Sequence, residues 1–285
     1  MLGRMTQTAD ARVTPSLDLT QGRDWARLSA AFLVCAAAVV LFAIHARPEG
    51  YIPLVAGVAL GLWADRELGK DLVLIALGQA IISTISLEAD LTNAGIARFT
   101  VALSLAVLVP WALARWVLGH GGVKFPVRTG RQWTRAQWWY LGIVIVAGYL
   151  LLPFYFIGSG AYMNWPDLSG DTDVARLFVG VNAVGIWDEL FFICVVFALL
   201  CRHFPLWWAN GLQTLVFVSF LWELGYREWA PVFTIPFALI QGWLFAKWKS
   251  FSYVVTVHLL FDAVVFAALV HARHPEMFDI FITAP

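Results

Sequence analysis

The stretch WDELFFICVV, residues 187–196, places two adjacent carboxylates inside a run of apolar residues. The surrounding run, 177–201, is long enough to cross a bilayer, which takes about 20 residues of helix. Asp188 is the twelfth residue of that run, and at about 1.5 Å per residue this position is near the middle of the membrane. A charge at that depth costs about 2.5–3.5 kcal/mol on insertion scales, so such residues commonly mark a functional site.

The composition of the whole chain is typical of a membrane protein. Of its 285 residues, 60% are hydrophobic and 13% are charged, whereas a soluble domain is about half apolar and about a quarter charged. We predict an all-α fold, a polytopic helical bundle of about eight to nine transmembrane helices. The apolar runs are 29–46, 51–64, 72–88, 98–118, 138–158, 177–201, 206–225, 229–246 and 251–270.

Acidic residues divide the chain into two halves. The first five runs hold no Asp or Glu in their middles, whereas the sixth, seventh and ninth runs together hold four acids and a histidine. The second half is therefore predicted to carry the function. The expected organisation is a polar cytoplasmic segment at 1–28, helices and a basic cytoplasmic loop at 29–137, a functional helical core at 138–270 and a tail at 271–285.

The distribution of Lys and Arg predicts the orientation in the membrane, because basic residues accumulate on the cytoplasmic side. With the N-terminus inside and nine spans, 14 of the 19 basic residues face the cytoplasm. The other five are Arg47, Arg98, Arg176, Arg227 and Arg273. We therefore expect an integral protein of a bacterial cytoplasmic membrane with its N-terminus inside. The basic loop at 119–136 is interpreted as a segment attracted to anionic lipid rather than to nucleic acid.

The intramembrane polar residues fall at helical spacing. His258 and Asp262 are four apart and should share one helical face, and Glu223 and Tyr226, three apart, should share another. Two interpretations of the acidic pair remain open. In the structural one, a protonated carboxyl bonds to a polar residue of a neighbouring helix, for which the candidates are Asn182, Asn210, Gln213 and Gln241. In the functional one, a carboxylate activates water beside a histidine.

Three stretches of the second half carry a family resemblance. DELFFIC at 188–194, WELGY at 222–226 and HLLFD at 258–262 resemble, in order and spacing, the motifs E-E-x-x-x-R, [F/W]-x-x-x-H and H-x-x-x-[N/D]. These mark the CAAX-protease and bacteriocin-processing family (CPBP, or Abi), whose members are polytopic intramembrane endopeptidases. The resemblance covers about residues 138–270.

The motifs are matched in part. Glu189 and His258 are identical to the motif residues, and Asp262 is an accepted variant. The first glutamate, the arginine and the second-motif histidine are replaced by Asp188, Ile193 and Tyr226.

The resemblance implies roles for the site residues. Asp188 would be the base that activates water, and His258 with Asp262 would stabilise the oxyanion. Tyr226 is a poor base at neutral pH, since a tyrosine has an unperturbed pKa of about 10, but it can donate a hydrogen bond to an oxyanion. Glu223 and a His258 oriented by Asp262 are alternative bases.

The function implied by the resemblance is cleavage of a membrane-associated peptide or protein by carboxylate-activated water, in a hydrolase of the glutamic or metal-dependent type. One alternative is an inactive relative that acts as a membrane scaffold, partner-binding or immunity protein. Another is a small transporter or lipid-handling enzyme in which the buried acids relay protons, although no inverted repeat is apparent.

No cofactor is required by the sequence. Asp188, Glu189, His258 and Asp262 include the carboxylate and imidazole ligands that zinc accepts, but no HExxH-type spacing is present. The expected partners are the lipid bilayer and a membrane-associated peptide or protein, and no nucleic acid.

Overall fold

A computed structural model describes residues 17–130 and 132–283, and in that part of the chain the regular structure is helical, without strands. The predicted all-α membrane bundle is therefore confirmed. The long helices are α1 (Gly22–Ala43), α2 (Arg47–Ala64), α3 (Arg66–Ile82), α4 (Asn93–Val117), α5 (Arg135–Gly158), α6 (Asp171–Leu200), α7 (Leu206–Leu224), α8 (Pro231–Trp248) and α9 (Phe251–Arg273).

These helices correspond one to one with the nine apolar runs. Among the described residues, α1, α4, α5, α6 and α9 are long and apolar enough to cross a membrane. The other four have 17 to 19 residues, and polar side chains such as Asn210 and Gln213 lower the hydropathy of α7. Of the expected polar segment at 1–28, residues 1–16 lie outside the described residues, and α1 already begins at Gly22.

The amino-terminal helices pack closely. The face of α1 that lies against its neighbours includes Ala30, Ala31, Ala37 and Ala38, all fully buried, and small side chains allow transmembrane helices to approach each other. Gln79 of α3 donates a hydrogen bond of 3.0 Å across the interface to the carbonyl of Val34.

Helix α6 changes its winding at the acidic pair. It is α-helical from Asp171 to Asp188 and π-helical from Glu189 to Phe197. Isolated π turns inside helices are frequent at functional sites. The wider turn allows the adjacent Asp188 and Glu189 to face the same neighbouring helix, and both side chains are buried.

The loops at the two ends of the bundle are distinguished by the predicted orientation. We call the end with the α3–α4, α5–α6 and α7–α8 connections the outer end, and the opposite end the inner end.

At the inner end, Asp71 of α3 lies 2.7 Å from Arg202 Nη1 and 2.7 Å from His203 Nε2, both just after α6. His120, from the α4–α5 connection, places its Nε2 3.1 Å from the other Asp71 oxygen. We call these four residues the inner cluster.

Candidate active site

Four of the predicted site residues meet in the membrane interior. Asp188 and Glu189 come from α6, and His258 and Asp262 come from successive turns of α9. Their exposed fractions are 2%, 1%, 4% and 4%. We call this group the cavity cluster. No Lys or Arg in the described part of the chain forms an ion pair with it, so three carboxyl groups share one imidazole.

The His258 ring is oriented by Glu189. Its Nδ1 lies 2.8 Å from Glu189 Oε1, whereas its Nε2 lies 3.6 Å from Asp188 Oδ2 and 3.8 Å from Asp262 Oδ1. His258 Nδ1 is therefore hydrogen-bonded to Glu189 Oε1, and Nε2 faces the other two carboxyl groups. Asp262, expected to orient His258, lies at the other ring nitrogen at 3.8 Å, beyond hydrogen-bond distance.

Gln241 of α8 fixes Glu189. Its Nε2 donates to Glu189 Oε1 at 2.6 Å and to the Val254 carbonyl of α9 at 3.1 Å. Of the four polar residues considered as structural partners for the acidic pair, Gln241 is the one that contacts it. Asn210 and Gln213 bond to each other and to carbonyls of α8, and Asn182 bonds within its own helix.

Helices α6 and α9 approach each other closely at Gly185, one turn before the acidic pair. A Cβ at this position would lie 1.9 Å from Asp262 Oδ2 and 3.2 Å from His258 Cδ2. Glycine is therefore required for the carboxylate and the imidazole to occupy their observed places. The sequence analysis missed Gly185 and the contact made by Gln241. A small residue one helical turn before Asp188 was a usable signal, whereas the Gln241 contact depends on tertiary packing.

Several carboxyl oxygens in the cavity cluster have no protein partner. Asp188 Oδ1, Glu189 Oε2 and Asp262 Oδ2 are buried and accept no hydrogen bond from the described residues. Most buried polar atoms in proteins are hydrogen-bonded, and the exceptions call for an explanation. These oxygens are the acceptors with which the site could bind water or a substrate donor.

A cavity of about 530 Å³ leads to the cluster, within the range of about 300–1,000 Å³ for small-molecule sites. Its walls are apolar side chains of α4, α6, α7, α8 and α9, and Asp188, His258 and Asp262 line it. Thr100, Ser104 and Ala183 also line it and are exposed, so the cavity opens sideways between α4 and α6.

Tyr226 lines the same cavity. Helix α7 ends before it, because Gly225 adopts φ 134°, a conformation that favours glycine. The Tyr226 ring packs edge-on against Trp165 of the α5–α6 connection, with 5.5 Å between centroids. Trp165 was not anticipated from the sequence, and it lines the cavity as well.

Glu223 lies outside the cavity, at the outer end. It accepts a hydrogen bond of 3.1 Å from the Leu87 backbone N–H, and it is 3.5 Å from Arg47 Nη2 and 3.6 Å from His45 Nε2. The predicted shared face of Glu223 and Tyr226 is wrong, because the chain leaves the helix at Gly225 between them. As an alternative base, Glu223 is therefore remote from the cluster that lines the cavity.

A metal ligand set was one open alternative in the sequence. Within residues 17–130 and 132–283, no three His, Cys, Asp or Glu side chains are arranged to hold a metal ion.

Comparison with known proteins identifies the region that contains these residues. A family model described as type II CAAX prenyl endopeptidase Rce1-like matches residues 171–264, which include all three motif stretches. No curated protein and no solved structure matches the chain. The family predicted from the three motifs is confirmed, and residues 171–264 form a region of the Rce1-like CAAX-protease type, a family of CPBP intramembrane proteases.

Proposed function

We propose that the chain is a divergent CPBP-type intramembrane endopeptidase that hydrolyses a peptide bond of a membrane-associated peptide or protein. The observation that carries the proposal is the cavity cluster: buried carboxyl oxygens without partners, beside an oriented histidine, in an apolar cavity. Gln79 and Gln213 also have a buried oxygen without a partner among the described residues but do not line the cavity, whereas Asp188 and Asp262 do.

In this proposal Asp188 and His258 activate water. A water molecule bonded to Asp188 would lose a proton as it attacks the substrate carbonyl. His258 Nε2, 3.6 Å from Asp188 Oδ2, would hold that proton and deliver it to the leaving amine. Glu189 keeps the opposite ring nitrogen engaged, as an orienting carboxylate does in other histidine-assisted hydrolases. Asp262, near the same Nε2, stabilises the protonated ring.

Tyr226 is proposed to stabilise the oxyanion. It lines the cavity with Asp188 and Asp262, at the position where the family motif has histidine. A hydroxyl donor aimed at a developing oxyanion in a dry site contributes about 2.7–4 kcal/mol to catalysis. The loss of the motif histidine therefore removes a base and retains a hydrogen-bond donor.

The cavity supports a membrane-associated substrate. Its walls are apolar, and it opens between α4 and α6 at Thr100, Ser104 and Ala183. Membrane-embedded residues of a bound substrate could occupy this lateral opening, and the buried site would admit the scissile bond with few waters.

The test is a comparison of peptide termini in membranes of cells that carry the wild-type chain or the Asp188→Asn/Glu189→Gln variant. Both substitutions keep the side-chain size, replace one carboxyl oxygen with an amide NH2 donor and remove the ionisable groups. A terminus that forms with the wild type and is absent with the variant, at equal abundance of the two proteins, is the expected result, and it would also identify the substrate.

Glu223→Gln is the matched control. It makes the same carboxyl-to-amide change at a buried position outside the cavity, and it should leave processing intact. Identical termini in cells with the wild type and with the double variant would contradict the proposed activity and favour an inactive, partner-binding relative.

A further inference from the structure

Besides its lateral opening between α4 and α6, the cavity extends toward one end of the bundle. Besides the helix walls, its lining includes residues of three connections, all at the outer end: Ala89–Leu91 between α3 and α4, Trp165 between α5 and α6, and Tyr226 after α7. None of its lining residues belongs to the inner connections at 118–134, 201–205 and 249–250. The cavity cluster therefore closes the deep end, and the mouth faces the outer end.

A polar hollow continues the cavity at this mouth. It has a volume of about 330 Å³ and shares Ala89, Asp90, Leu91 and Arg176 with the cavity. Its remaining lining residues are Thr92, Pro166, Asp167 and Asp173. The walls thus change from apolar to polar along the path, as expected where a membrane cavity reaches water.

The length of α6 supports the same assignment. It has 30 residues, or about 45 Å at 1.5 Å per residue, whereas the hydrocarbon core is about 30 Å thick. Thr172 and Arg176, which line the mouth, lie in the first two turns of α6. These turns reach the headgroup region or the water beyond it.

The outer end carries few basic residues, and acids neutralise most of its arginines. Four of its five arginines lie beside acids: Arg273 is 2.7 Å from Asp167, Arg227 is 3.2 Å from Glu88, Arg98 is 3.3 Å from Asp90 and Arg47 is 3.5 Å from Glu223. Hydrogen bonds from Thr92 hold the pKa of Asp90 below its usual range, so this rim residue is a carboxylate at neutral pH. The basic majority of the chain is at the inner end, which the positive-inside rule assigns to the cytoplasm.

From these observations we infer that the candidate active site is loaded from the non-cytoplasmic side of the membrane. The substrate class is a membrane polypeptide whose cleaved segment is exposed at that face, rather than a tail presented from the cytoplasm. The statement about cleavage rests on the proposed function, whereas the sidedness of the cavity does not depend on it.

Sidedness is tested by cysteine labelling in spheroplasts of a bacterial host. Thr172→Cys places a thiol at an exposed position of the mouth, and Lys124→Cys places one at an exposed position of the inner end. Labelling by a membrane-impermeant maleimide is measured before and after lysis, above the background of the parent chain with Cys35, Cys194 and Cys201. We expect Thr172→Cys to label equally in both conditions and labelling of Lys124→Cys to rise severalfold on lysis. The reverse pattern would overturn the inference.

A second arm tests whether this mouth is used. External maleimide on Thr172→Cys should reduce formation of the wild-type-dependent terminus by at least about tenfold, and should leave the parent chain unaffected. Full labelling with unchanged processing would overturn entry through the outer mouth while leaving the proteolysis intact. If no terminus depends on the wild type, the proposed function fails, and the labelling pattern still decides the sidedness of the cavity.

Discussion

Asp71 and Asp188 are both buried aspartates beside histidines, but their surroundings differ. In the inner cluster, both Asp71 oxygens are bonded: Arg202 contacts each of them, and His203 and His120 add one contact apiece. In the cavity cluster, Asp188 Oδ1 has no hydrogen-bond partner among the residues that the structure describes, and Asp188 lines an open cavity. A carboxylate that is fully satisfied by arginine and histidine ties helices together, whereas one with a spare oxygen in a cavity can act on a bound molecule.

The two clusters therefore predict opposite consequences for similar substitutions. Changes in the inner cluster should alter stability and leave the rate per folded molecule close to that of the wild type. Changes in the cavity cluster and its support should alter the rate and leave stability close to that of the wild type.

The largest effect is expected at Tyr226, which faces the cavity cluster and has no counterpart in the inner cluster. Tyr226→Phe removes only the hydroxyl and should slow processing by about 10²–10³-fold, the usual cost of one oxyanion donor. Tyr155→Phe is the matched control, because Tyr155 is also buried but donates to the Arg227 carbonyl outside the cavity. Rates are measured from the appearance of the product terminus, and equal rates for the two variants would remove Tyr226 from the proposed mechanism.

The next largest loss of processing rate is expected when the spacing between α6 and α9 is changed. Gly185→Ala should displace Asp262 and His258, because the new Cβ would lie 1.9 Å from Asp262 Oδ2. Misplacement by about 1 Å can cost about 10²-fold in rate.

Gly211→Ala is the control for this prediction. It lies inside α7, does not line the cavity and meets nothing within 4 Å, so it should retain the rate and gain up to about 0.5–1 kcal/mol in stability. If Gly185→Ala processed substrate as fast as Gly211→Ala, the close approach would have no role in the site.

A substitution in the inner cluster should lower the stability of the protein and change the processing rate little. Asp71→Asn leaves Arg202 and His203 without their anionic partner. Breaking a buried pair in this way lowers the free energy of unfolding by about 3–5 kcal/mol. Because the Arg202 side chain is one-third exposed (33%), we expect the loss of unfolding free energy to be near the lower limit of this range. Thermal unfolding of the detergent-solubilised protein measures it, and an unchanged melting temperature would contradict the structural role.

The smallest effect is the pH dependence contributed by His120. Burial lowers the pKa of its imidazole below the usual 6.5, so the unfolded chain binds more protons between the two values. Stability should therefore fall as the pH is lowered through about 6.5 toward the folded-state pKa, and then level off. His120→Gln should flatten this part of the melting-temperature profile, and an identical slope in the variant would exclude His120 as its source.

The fold was largely predictable from the sequence, because an apolar run long enough for a membrane leaves helix as the available structure. The four residues of the cavity cluster were also predictable, since the i, i+4 spacing of His258 and Asp262 and the adjacency of Asp188 and Glu189 fix which faces they occupy. The separation of Glu223 from Tyr226 was not anticipated, because it depends on one glycine, Gly225, that ends α7.

Contacts between distant parts of the chain were beyond the sequence patterns. The inner cluster joins positions 71, 120, 202 and 203, and the bond from Gln241 to Glu189 spans 52 residues. Neither has a periodic or motif signal, because each results from how the helices pack. The cavity and its outward mouth follow from that packing as well.

The most direct test of the difference between the two clusters is a paired measurement on Asp188→Asn and Asp71→Asn. For each variant, the rate of product formation per folded molecule and the melting temperature are determined against the wild type. The account predicts a rate loss of at least about 100-fold with an unchanged melting temperature for Asp188→Asn. It predicts a lowered melting temperature with a retained rate for Asp71→Asn. A stable Asp188→Asn protein that processes substrate at the wild-type rate would contradict the assignment of the cavity cluster as the active site.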